Sequence, residues 1–145
     1  GYAFTKDIQL KATHEVLEGA ARTDVVQNAF TTPQASLHGF YGWADRLGAT
    51  PVAGIVDDFV QLEAKRWGLA FDVQYHLLKP EQTDRGYTKY GTDLSFSVAW
   101  PVTKNFELML KYAAYAAASQ EAGVALPSAL NRDLKKVWLV STFKL

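Results

Sequence analysis

The sequence predicts an all-β fold: antiparallel up-and-down transmembrane β-barrel strands, about six of them, forming part of a larger barrel. Three observations predict it. Apolar and polar residues alternate with period two along six segments, the pattern of strands with one apolar face. Each segment runs about 9–13 residues, longer than the usual strand in water and close to the length that crosses a bilayer at a tilt. Tight and long connections alternate strictly, so all the long ones fall on one side, as in outer-membrane barrels.

The elements follow in order. In the first, Phe4, Ile8, Leu10 and Val16 alternate with Asp7, Gln9, Lys11 and Glu15. In the second, Val60, Leu62 and Ala64 alternate with Gln61, Glu63 and Lys65. Arg66–Trp67–Gly68 turns it into the third, where Leu69, Phe71, Val73, Tyr75 and Leu77 alternate with Asp72, Gln74 and His76. In the fourth, Leu94, Phe96, Val98 and Trp100 face away from Asp93, Ser95 and Ser97. A turn over 101–105 leads to the fifth, with Phe106, Leu108, Leu110 and Tyr112 against Glu107 and Lys111. The sixth sets Val137, Leu139 and Phe143 against Lys136, Thr142 and Lys144. The chain, 1–145, reads as one domain. Residues 18–55 form a long outer loop, and 79–91 and 116–134 two further outer loops.

Composition narrows the function. Fifteen basic residues balance fifteen acidic ones, so the net charge is zero and nothing invites nucleic acid. There is no cysteine, which removes disulfides and thiolate metal sites. No apolar window is long enough for a transmembrane helix. The opening residues GYAFTKDIQL are neither a signal nor a transit peptide.

No phosphate-binding, hydrolase or metalloprotease motif occurs, and the reading is that of a protein that is not an enzyme and needs no cofactor and no metal. His14, His38 and His76 lie on different elements, whereas a three-histidine metal site needs them to converge. Asp57 and Asp58 are neighbours on a strand and point to opposite faces, so they cannot act as an acid/base couple. On the polar faces Glu63, Lys65, Asp72, Glu107 and Lys111 would look into a water-filled lumen and set which solutes pass. A solvated outer face of an ordinary sheet would carry the same charges.

The stretches EVLEG (15–19), TPQASLHGFYGWADRL (32–47) and TPVAGIVD (50–57) resemble the C-terminal portion of the alginate-export type of outer-membrane β-barrel. NFELMLKYAAY (105–115) and KKVWLVSTFKL (135–145) are similar to that family's last two strands. The resemblance implies a porin-like channel in the bacterial outer membrane, passing small or anionic solutes, polysaccharide or sugar acids among them. Six strands cannot close around an aqueous pore. The chain would therefore need outer-membrane lipid and the remaining barrel strands, or other chains, to complete it. Two departures stand out: the strand number, and a C-terminal Leu145 where such barrels usually end in an aromatic residue.

A loop as long as 18–55 is usually functional. Phe40, Tyr41 and Trp43 could offer a stacking track, and Asp45 and Arg46 a constriction, if the loop folds inward; otherwise it braces the rim. The alternative reading is a soluble β-barrel with the alternation inverted, apolar face inside, binding a small apolar ligand.

Overall fold

The computed structural model describes residues 1–25, 29–30, 41–119 and 124–144. Seven strands form within them: β1 (Tyr2–Thr5), β2 (Ile8–Leu17), β3 (Ile55–Arg66), β4 (Leu69–Lys79), β5 (Gly91–Thr103), β6 (Phe106–Ala117) and β7 (Leu134–Phe143). They make one sheet in that order, each strand antiparallel to its sequence neighbour. Among the described residues there is no helix. The expected count of about six is corrected to seven because the first segment breaks at Lys6–Asp7, where the Asp7 N–H donates to Thr5 Oγ1 at 3.2 Å. Phe4, Ile8 and Leu10 keep the same parity across that turn, so the alternation hides it.

The sheet is open, and the expected barrel is not formed. Closure requires the first and last strands to hydrogen-bond. Here every strand contact is between sequence neighbours, and β1 and β7 do not meet. β1 has four residues and pairs with β2 only as far as Leu10, leaving the outer edge of β2 beyond it without a strand partner among the described residues. Several expectations rested on closure and fall with it: a lumen holding solute, an outer-membrane lipid partner, completing strands or chains, and residence in the bacterial outer membrane.

The registers sort the two faces. Leu10, Leu62, Val73, Phe96, Tyr112 and Val137 stand in one row across six strands. This apolar face is exposed; Val137 and Leu139 on β7 are 68% and 71% accessible. On the other face Lys11, Gln61, Gln74, Ser95, Ala113 and Lys136 share a row. The inversion of the alternative reading therefore does not occur.

Tight turns at 6–7, 67–68 and 104–105 mark one end of the sheet, and the connections 18–54, 80–90 and 118–133 the other. At Trp67–Gly68 both residues have positive φ, 53° and 74°, as a type I′ hairpin turn demands. The buried core does not lie on the apolar face. It gathers at the loop end over the polar face, where Leu17, Ile55, Leu78 and Tyr115 of the strands meet Tyr41, Trp43, Leu47, Tyr87, Leu126 and Leu130 of the loops.

Candidate functional site

The first long loop descends onto the polar face and is fastened there by hydrogen bonds to side chains of β5. The Trp43 N–H donates to Ser95 Oγ at 3.0 Å and the Ala44 N–H to Asp93 Oδ2 at 3.1 Å. Ser95 Oγ in turn donates to Asp93 Oδ1 at 2.6 Å. Gly42 lies so close that a Cβ on it would stand 2.2 Å from Asp93 Cγ. Tyr41 donates its hydroxyl to Glu15 at 3.3 Å, and burial followed by the Glu15 charge pushes its pKa upward. Lys136 pairs with Asp45 at 3.0 Å. Lys111 sits 4.2 Å from the Trp43 ring centroid, a cation–π contact whose burial lowers the ammonium pKa.

Beneath the loop lies a polar network. Asp57 and His76 are both buried, and His76 Nδ1 stands 2.7 Å from Asp57 Oδ2. A carboxylate can only accept, so Nδ1 carries the proton. The Gln74 side-chain amide is 3.4 Å from Nε2, and Phe59 stacks on the imidazole at 4.6 Å between centroids. Asp58, next in sequence, points to the apolar face and binds His14 at 2.6 Å and Lys79 at 2.7 Å. Its pKa is lowered, first by the His14 hydrogen bond. His14 and His76 thus occupy opposite faces, and His38 lies outside the described residues.

Burial raises the Asp93 pKa, against the opposing hydrogen bonds from Ser95 and Ala44. A carboxyl raised in the folded state binds its proton before the unfolded chain does. Stability therefore falls as pH rises from the ordinary aspartate value of ~3.9 through the raised value, and is flat above it. Asp93→Asn removes this component. In urea titrations the stability of the native chain relative to Asp93→Asn should rise as pH is lowered through that window. Parallel stability curves across it would show that Asp93 does not carry the effect.

The three long loops border an open pocket of about 560 Å³. Its walls are residues 46–52 of the first, Arg85 and Tyr87 of the second, and Pro127, Ala129 and Leu130 of the third. Tyrosine hydroxyls hold these loops together. Tyr90 donates to the Gly54 carbonyl at 2.8 Å, and Tyr115 lies 2.6 Å from the Tyr90 carbonyl and 3.0 Å from that of Leu130. Burial pushes the Tyr115 hydroxyl up to about 12.

The residues expected to line a channel separate into distinct places. Tyr41, Trp43 and Asp45 fasten the loop, and Arg46 borders the pocket. Lys111 supports Trp43. Glu63, Lys65 and Asp72 line a separate cleft of about 490 Å³ toward the turn end of the polar face, and Glu107 an adjoining one. Phe40 lies outside the described residues. Sequence reasoning did not single out Ser95, Tyr90, Tyr115 or Arg85 as site residues. Apolar residues inside the connections, Leu47, Leu126 and Leu130, are the signal that these loops build a core of their own.

Fold and site together define an all-β domain: an open seven-stranded antiparallel sheet with a loop-built pocket at one end. No family model, no curated protein and no solved structure matches the chain. The resemblance to alginate-export barrels is thus without support. The porin-like channel it implied is corrected too, since an open sheet encloses no conduit.

Proposed function

We propose that this domain is a non-catalytic binding module that holds a small apolar ligand in the pocket between its three long loops. The observation that carries the reading is the pocket's size and lining. At about 560 Å³ it has the volume of a small-molecule site, and its wall is mainly apolar, with Leu47, Pro51, Val52, Pro127 and Leu130 among its residues. Calorimetric titration with 1-octanol, a neutral apolar probe, tests it. The native chain should bind octanol. Ala129→Trp, which fills the pocket from an exposed position, should weaken binding by about tenfold or more, or ~1.4 kcal/mol. Equal affinity in both proteins, or no binding to the native chain, would reject the pocket as the site.

A further inference from the structure

The pocket wall is mainly apolar, Thr50 and Tyr87 add hydroxyl-bearing side chains, and its charged residues are two arginines, Arg46 and Arg85. No carboxylate is among its described lining residues. Among the described residues, the contacts of Arg46 are with neutral groups. Its Nη2 donates to the Arg132 carbonyl at 2.9 Å, and its guanidinium carbon lies 5.6 Å from the Tyr115 ring centroid. Its Nε is buried with no hydrogen-bond partner among the described residues. Tyr115 supplies no counter-charge, because a phenol with its pKa pushed up to about 12 is neutral at physiological pH. Asp45, the adjacent acid, is engaged by Lys136. Arg85 is anchored by its Nη2 on the Ala20 carbonyl at 3.2 Å, which keeps the second guanidinium beside the pocket.

A partly buried cation with only neutral partners favours an anion, because low-dielectric surroundings strengthen the attraction and leave the unpaired charge costly. The planar guanidinium fork matches a carboxylate in two parallel hydrogen bonds. Resting on the binding reading above, we infer that the ligand is an aliphatic acid: its carboxylate meets Arg46, with Arg85 adding positive potential, and its hydrocarbon body lies along Leu47, Val52 and Leu130.

The test is a calorimetric comparison of octanoate, 1-octanol and octylammonium at neutral pH and low salt. The native chain should bind octanoate about tenfold or more tighter than octanol, with octylammonium weakest. Added salt should shrink the octanoate advantage, which needs no variant to measure. Arg46→Gln should bring octanoate down to the level of octanol, Arg46→Lys should restore part of the preference, and Lys104→Gln, at a distant turn, should leave it intact. Equal binding of octanoate and octanol by the native chain, or a preference that survives Arg46→Gln, overturns the carboxylate while leaving the apolar pocket standing. Failure of all three probes to bind overturns the pocket itself.

Discussion

Gly42→Ala is expected to unseat the first loop from the polar face and to cost roughly 2–5 kcal/mol of stability. Two penalties add. Gly42 has φ +83°, in the left-handed region, where a side chain costs about 1–2 kcal/mol. The new methyl would also stand 2.2 Å from Asp93 Cγ and 2.6 Å from Asp93 Cβ. Overpacking of this kind costs about 1–3 kcal/mol. Asp93 cannot swing aside cheaply, because its two oxygens accept from Ser95 and Ala44 and its side chain is buried. The loop must yield instead. Urea unfolding and trypsin cleavage at Arg46 would read this out: the midpoint should drop, and cleavage after Arg46 should accelerate under conditions where the native chain resists. A variant with native resistance at Arg46 would mean that the loop does not depend on this contact.

His76→Leu is expected to cost about 3–5 kcal/mol, whereas the double variant Asp57→Leu/His76→Leu should recover most of that loss. The single change removes the Nδ1–H that Asp57 accepts and leaves a fully buried carboxylate whose Oδ1 already has no hydrogen-bond partner. Breaking a buried pair from one side is expensive, and replacing both members by apolar side chains of similar volume is often close to neutral. Leucine preserves apolar packing against Phe59, so the loss isolates the polar pair. A double-mutant cycle measured by urea unfolding should therefore give a coupling of several kcal/mol. A double variant no more stable than His76→Leu would show that the two side chains act separately.

The strands were legible because the period-two pattern is a local consequence of burying one face. The third to sixth strands coincide closely with the alternating segments of the sequence, and the tight turn at Trp67–Gly68 was visible as well. Closure was not legible. The alternation of β7 reads the same whether its outer edge meets another strand or none, since the pattern reports faces and not edges. The role of the polar face was hidden for a related reason. Asp57, His76, Asp93 and Ser95 look like water-facing positions until the loop supplies the Trp43 and Ala44 N–H groups that satisfy two of them. The pocket is hardest to see because Val52, Arg85 and Leu130 are far apart in sequence and meet only through the folded loops. Arg46, expected at a constriction, borders the open pocket between the loops.

The tyrosine contacts described above have a thermodynamic consequence. Tyr90 binds the first loop to the second, and the one hydroxyl proton of Tyr115 on β6 is shared between the Tyr90 carbonyl of the second and the Leu130 carbonyl of the third, so none of them can lift away without disturbing these contacts. The three loops are therefore expected to open together as one sub-global unit while the sheet stays paired. A ligand between them binds only the closed form, and mass action then makes it a further clamp. At a hundredfold excess over its dissociation constant it would add about 2.7 kcal/mol to the cost of that opening.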